Sequence, residues 1–367
     1  MLLKKHKILL IVSLSLIPQM LLVRWLSGYP QLVETYYSNG LYPIISKASR
    51  YAFGWLPFSF GDIMYAVLIV LALREIVLLT RSKFKDFKTF LLKIAAVASL
   101  VYVAFNVLWG MNYNRLPLHE SLGINNEYTT EELVELTEKL IITSNKLHNQ
   151  LAIDNNSRVE YCTSTVNKNA CLQEIFKGTL NGYEALRTQF PSLDYPPKSI
   201  KNSLLRYPLS IMGYSGYLNP ITNEAHINGM VPAHRWPVIS SHEQAHQLGF
   251  AKENEANFIA VMATLNNEGA YFQYSGSIFA LRYALNDVYS RDTELGEHLK
   301  EQLNPGILVN YQDSRDFWDA MDNPLEPLFD LFYSNYLKAN NQPDGLKSYS
   351  YMVALLVNYD QRFPDTF

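Results

Sequence analysis

Three apolar runs crowded into the first third of this 367-residue chain limit what it can fold into. They lie at about 8–27, 60–79 and 90–109, each close to the ~20 residues a helix needs to cross ~30 Å of hydrocarbon. In lipid a backbone must satisfy its own polar groups, so such runs cross as helices. The first follows Lys4, Lys5 and Lys7, the basic-then-apolar order of a secretion signal. No small-x-small cleavage site comes after it; the chain continues Gly28-Tyr29-Pro30-Gln31. With two further long runs behind it, the first reads as a retained anchor. The expected organisation is a membrane domain over 1–110 with three transmembrane helices, then an extracytoplasmic domain over 111–367.

Basic residues orient the spans. Lys4, Lys5 and Lys7 precede the first, and Arg81, Lys83, Lys85 and Lys88 separate the second from the third. The longer link between the first two carries only Lys47 and Arg50. Cytoplasmic loops are enriched in lysine and arginine, so the N-terminus is expected in the cytoplasm. Three crossings then put everything after Trp109 on the periplasmic side of a bacterial inner membrane. Arg24, Arg74, Glu75 and Lys93 sit toward span ends, where long side chains snorkel to the headgroups. Cys162 and Cys171, the only two cysteines, can close a short disulfide loop in an oxidising compartment. The lipid bilayer is thus the first expected partner. Nucleic acid is not expected, since the net charge is −3 and no basic patch stands out.

Beyond residue 111 the pattern becomes globular and mostly helical. Thr129 or Thr130 can cap a helix carrying Leu133, Leu136, Leu140 and Ile141 on one face. Further helices are predicted over Leu172–Thr188, Pro237–Leu248, Glu253–Asn267, Ser275–Tyr289, Leu328–Ala339 and Leu346–Tyr359. Between them, Tyr207–Asn228 alternates short apolar pieces with Gly213, Gly216, Asn219-Pro220 and Asn223, which reads as a small strand-and-turn region. The fold class expected is mainly α with a small β-sheet just before the helix at 237.

That helix carries His242-Glu243-Gln244-Ala245-His246. Residues four apart share a helix face, so His242 and His246 can hold one metal ion, and Glu243 can reach a metal-bound water. Pro237 stands before the motif, Ser240 and Ser241 are candidate helix-start caps, and Gly249 can end the helix in a left-handed conformation. A hydrolytic zinc takes three protein ligands and keeps one open position. One known arrangement puts a third histidine six residues after the second, but that position is Lys252, which is no ligand when protonated. The other takes a glutamate from a second helix. Glu253 and Asn257 have that spacing, and Asn257 could support a ligating ring. Glu253 is favoured as third ligand over Glu255, which points about 200° away around the helix. Two imidazoles and a carboxylate suit Zn2+. Glu243 is the expected general base. His226 is a candidate catalytic residue as oxyanion stabiliser, with His234, Arg235, Tyr214 and Tyr217 as other candidates. The stretch Glu224-Ala225-His226-Ile227-Asn228 could serve as an edge strand for an extended peptide. Charged neighbours of the motif, His234, Arg235, Lys252 and Glu253, argue against a site inside the membrane.

The run from His242 to Phe250, followed by Glu253-Asn254-Glu255-Ala256-Asn257, resembles the glutamate-type zincins, the gluzincins. The gap between His246 and Glu253 is shorter than is typical of them. Taken whole, the chain is similar to an uncharacterised bacterial family with three N-terminal spans and an extracytoplasmic His-Glu-x-x-His domain. Trp109-Gly110-Met111-Asn112-Tyr113, Asn219-Pro220, Glu224 and Asn228 add to that likeness. The resemblance implies a zinc-dependent peptidase with a zincin-like domain and brings no established substrate; the leading expectation is a membrane-anchored metallopeptidase acting outside the cytoplasm on peptides or envelope proteins. The rival expectations are a catalytically silent membrane sensor or scaffold with a structural metal site, and a hydrolase of non-peptide substrates.

Overall fold

The apolar runs form helices in the computed structural model, which describes residues 2–162, 167–340, 351–364 and 366–367. His6–Ser27, Phe60–Arg81 and Phe87–Leu108 are each 22 residues long and apolar enough to cross a membrane. The first is continuous but for a turn at Ser15, where the Ser15 hydroxyl lies 3.0 Å from that of Ser99 on the third helix. The third helix packs against the other two, and Lys93 bridges to Glu75 of the second at 2.6 Å. Ser59 caps the second helix by accepting the Asp62 N–H at 2.9 Å.

After residue 111 helices dominate, as the sequence pattern requires. Thr129 and Glu132 form a capping box at the start of Thr130–Leu151, and Leu133, Leu136, Leu140 and Ile141 are buried on its inner face. Lys168–Arg187 begins four residues earlier than expected because Asn167 takes the capping role, accepting the Asn169 N–H. A disulfide joins Cys162, ahead of this helix, to Cys171 in its first turn. Ala270–Arg291 packs against Thr130–Leu151, with Ser144 and Ser277 hydroxyls 2.6 Å apart in the interface. The terminal helix is Tyr351–Arg362; the first residues of the predicted Leu346–Tyr359 helix, 346–350, lie outside the described residues. Thr293–Lys300 and Pro305–Asp319 are helices that the sequence pattern left unassigned.

The sheet has three short strands, β1 (Ile200–Asn202), β2 (Gly216–Leu218) and β3 (Ala225–Ile227), in the order β1-β3-β2. β3 runs parallel to β1 and antiparallel to β2. β2 and β3 fall in the predicted strand-and-turn region, linked by a turn in which Asn219 Oδ1 accepts the Ile221 and Thr222 N–H groups. β1 lies before that region, and Arg206–Ile211 at its start is a short helix, not a strand.

The segment between the first two apolar helices is more than a link. Val33–Leu41 is π-helical and continues into the helix Tyr42–Phe53. Tyr42, Ser46 and Arg50, four residues apart, share its buried face. Tyr42 and Ser46 donate to the Gln247 carbonyl at 2.9 and 2.7 Å, and Arg50 donates to the Pro197 carbonyl at 3.2 Å. Farther on, Lys201 on β1 donates to the Gly54 carbonyl at 3.0 Å. Residues 33–62 thus pack into the body formed by residues beyond 111.

Two buried histidines set an acid limit on this fold. His226 Nε2 lies 2.6 Å from the Ser59 hydroxyl, and His234 Nε2 lies 3.0 Å from the Ser314 hydroxyl. Burial lowers their pKa values to about 4 and about 3. Unfolded histidine titrates near 6.5, so below that pH the unfolded chain binds more protons. Each ring therefore adds stability that is present above about pH 6.5 and lost as pH falls toward the folded value. The melting temperature of the full-length protein in detergent should drop steeply below about pH 6, and less steeply in His234→Gln. A melting temperature flat from pH 7 to 4.5, or equal slopes for both proteins, would contradict this.

Candidate metal centre

The motif lies on the helix Trp236–Gln247, buried along nearly all its length. The helix begins at Trp236 with Pro237 in its first turn, so Ser240 and Ser241 lie inside it and do not cap it. Its flanks are tied to the body: Tyr183 donates to the Ser241 carbonyl at 2.5 Å and Gln244 to the Thr179 hydroxyl at 3.0 Å. Gln247 donates to the Ser199 and Asn223 carbonyls and accepts the Tyr195 hydroxyl at 2.6 Å. Gly249, at φ +91°, then reverses the chain. A Cβ there would sit 2.9 Å from the Tyr42 ring, so the turn needs glycine for its backbone and for its space. Four residues later the helix Glu253–Leu265 starts.

This tight turn brings three donors together. His242 Nε2 is 3.2 Å from Glu253 Oε2, and His246 Nε2 is 3.7 Å from Glu253 Oε1. The donor atoms of His242, His246 and Glu253 all lie within 4.8 Å of one another and can hold a metal ion. Two ligands each ~2.0–2.1 Å from a tetrahedral ion stand roughly 3.4 Å apart, so the spacings fit. His246 Nδ1 lies 2.7 Å from the Phe250 carbonyl, which takes its N–H; Nε2 faces Glu253 and is the atom a metal ion would take once its proton is lost. Tyr333 donates to Glu253 Oε1 at 2.7 Å. Burial opposes charge on His246, but the hydrogen bond and attraction of Glu253 outweigh it and raise its pKa to about 9. Burial likewise opposes charge on Glu253, yet hydrogen bonds from both histidines hold its carboxyl well below the usual range.

Glu255 is turned elsewhere. Its Oε1 accepts the Leu118 N–H at 2.9 Å and lies 3.6 Å from Lys252 Nζ, so of the two candidate glutamates only Glu253 joins the cluster. Asn257 lines the same cavity but does not hold a histidine: the Phe250 carbonyl serves His246, and both Asn257 Nδ2 and His242 Nδ1 are buried without a partner. Glu243 is also buried, with Oε2 unpartnered. Burial pushes its pKa up to about 7, against the pull of His242 and His246. Its neighbour on β2 is Gly216, where a Cβ would come within 2.7 Å of Glu243 Oε1.

His226 is not part of the cluster, contrary to expectation. Strand residues alternate faces. Gly216 and its partner Ile227 face the motif helix, so Tyr217 and its partner His226 face the other way. There the His226 ring stacks on Tyr217 at 4.4 Å and reaches Ser59. β3 is also the central strand, so it is not a free edge for a peptide. His234 is held by Ser314, and Tyr217 turns its hydroxyl to Asp62. Tyr217 nonetheless lines, with Tyr214 and Arg235, the cavity of about 780 Å³ that opens beside His242, Glu243, His246 and Glu253. Burial first, then Asp330 and Glu253, raise the Tyr214 pKa to about 12, so its hydroxyl stays protonated. Sequence reasoning missed Tyr333, Tyr336, Arg282 and Tyr283 in the wall. They come from distant helices, and no local pattern marks them.

A model of the family described as "Protein of unknown function (DUF3810)" matches residues 37–357. No curated protein and no solved structure matches the chain.

Exchanging each glutamate separates ligand from scaffold. Glu253→Gln should weaken metal binding, probed with Zn2+, by more than about 100-fold. Glu255→Gln should leave affinity nearly unchanged yet lower the melting temperature by a few degrees, since it strips a buried N–H of its acceptor. Zinc titration with a competing chelator reads the first, and thermal unfolding the second. Equal losses of zinc in both variants would refute the assignment.

Proposed function

The chain belongs to the DUF3810 family, and we propose that it is a membrane-anchored zinc metallopeptidase that cuts peptide bonds outside the cytoplasm. The observation that carries this reading is the convergence of His242, His246 and Glu253 beside a buried carboxylate, Glu243, that none of them engages. A bound zinc would supply a Lewis acid that polarises a substrate carbonyl and makes a water acidic near neutral pH. The chain's own residues do the rest. Glu243 accepts the water's proton at its unpartnered oxygen and returns it to the leaving amine. Tyr333 holds Glu253 in the geometry that faces both imidazoles. Tyr214, protonated and in the cavity wall, donates to the oxygen that gains charge as the carbonyl is attacked. Burial of the site keeps bulk water from dissipating these interactions.

The same placement bears on substrate. Tyr36 (72% exposed), Tyr51 (65%) and Trp55 (75%) project from the segment after the first apolar helix, as aromatic residues do at a membrane–water interface. On the helix Glu326–Ala339, Leu331 and Phe332 are exposed, while Tyr336 lines the cavity and meets Phe105 of the third apolar helix at 6.3 Å. A cavity so close to the spans suits peptides or envelope-protein segments near the bilayer. The N-terminus is assigned to the cytoplasm by its lysines.

Full-length protein in nanodiscs, loaded with zinc, tests the reading against unstructured protein and a peptide mixture. Glu243→Gln should keep its zinc and lose turnover by about 10³-fold. Tyr214→Phe should keep its zinc and lose roughly 10²-fold in kcat. Stoichiometric zinc with no hydrolysis by the wild type would leave the silent sensor or scaffold in its place.

A further inference from the structure

Two arginines, Arg235 and Arg282, line the cavity without an acidic partner among the described residues. Arg235 is partly buried at the start of the motif helix, whereas Arg282 is exposed. Burial, and then its neighbour Arg282, lower its pKa to about 10. A partly buried guanidinium beside a like charge is stabilised by an anion that joins the pair. The wall also carries acids, Asp322, Glu326 and Asp330. Of these, Asp330 acts on Tyr214, and none figures among the groups that act on Arg235. Tyr283 lies in the same wall: burial raises its pKa, and both arginines oppose the rise.

Spacing gives the pair a place on the substrate. Arg235 precedes His242 by seven residues, close to two helical turns, so the two share a face about 10 Å apart along the axis. An extended peptide advances about 3.5 Å per residue, so that distance is roughly three residues. We propose that Arg235 and Arg282 form a subsite for a substrate carboxylate, placed about three residues from the bond that is cut. A free C-terminus meets that requirement, as does an acidic side chain at the same distance. Planar guanidinium groups bind carboxylates through paired N–H donors, which fits them to this role better than lysine. The position of the cut rests on the peptidase reading above; the carboxylate subsite does not.

The test uses full-length Glu243→Gln protein with zinc bound, in nanodiscs, and fluorescence anisotropy with N-terminally dansylated random hexapeptides. Three pools are compared: free acid, C-terminal amide, and amide with glutamate fixed at the last position. The free-acid pool should bind about tenfold more tightly than the plain amide pool. Adding Arg235→Gln or Arg282→Gln should remove most of that preference while zinc content and melting temperature stay unchanged, and Arg235→Lys should keep part of it. A glutamate-amide pool that binds like the acid supports a subsite for either carboxylate; one that binds like the plain amide supports a subsite for the terminus. Equal binding of acid and amide pools, a preference that survives loss of both arginines, or no binding by any pool overturns the proposal. Hydrolysis by zinc-loaded wild type is scored separately. Cleavage without acid preference defeats the subsite alone, and acid preference without cleavage defeats the peptidase reading alone.

Discussion

An α-helix leaves its last carbonyls without partners inside the helix, and much of this structure follows from how those of the motif helix are satisfied. The His246 carbonyl accepts the indole N–H of Trp109 at 2.9 Å. The Gln247 carbonyl accepts the hydroxyls of Tyr42 and Ser46. Trp109 directly follows the third apolar helix, and Tyr42 and Ser46 lie between the first and second. The end of the helix that carries the metal cluster is therefore closed by residues attached to the membrane-spanning candidates. Glu224 extends the same logic: it accepts the Phe60 and Gly61 N–H groups at 3.2 and 2.7 Å, a carboxylate at a positive helix end. Apolar helices and site share one polar network, and a fragment lacking the first hundred residues would strip the Gln247 carbonyl and the Glu224 carboxylate of these partners.

Two buried carboxylates, close in space, meet opposite environments. Glu253 is surrounded by donors, the two imidazoles and Tyr333, which favour its charged form. Glu243 has burial without a partner for Oε2, which disfavours charge. Pairs of titratable groups pushed apart in this way can take different roles in one site, one staying ionised and one able to exchange a proton. The division comes from backbone placement. The left-handed turn at Gly249 swings Glu253 back over the histidines, and Gly216 lets a strand approach Glu243 without a side chain between them.

The parts of this arrangement that repeat along the chain were legible in the sequence. Apolar runs near 20 residues, the 3.6-residue periodicity of Leu133, Leu136, Leu140 and Ile141, and the four-residue spacing of His242 and His246 are local signals. The preference for Glu253 over Glu255 also followed from helix geometry. What was lost depended on long-range contact. Ser240 and Ser241 looked like caps only because the helix start at Trp236 is fixed by Pro237 and by the indole bond to the Val231 carbonyl. His226 looked catalytic because its strand register, which turns it toward Ser59, is set by pairing with β2. Residues 33–53 looked like a link because their buried face is polar, Tyr42, Ser46 and Arg50, and matches backbone carbonyls far along the chain.

The central claim is that two imidazoles and one carboxylate, His242, His246 and Glu253, close around a single cation and leave it an open position. Cobalt substitution tests it most directly, since the visible absorption and X-ray absorption fine structure of Co2+ report ligand number and type. Full-length protein should take up one cobalt per chain, with two imidazole nitrogens, only oxygen donors besides and no sulfur. An added small anion should perturb the spectrum by entering the open position. A cobalt spectrum that is unchanged when His242 or His246 is replaced by alanine, or a coordination sphere with fewer than two imidazoles, would contradict the account.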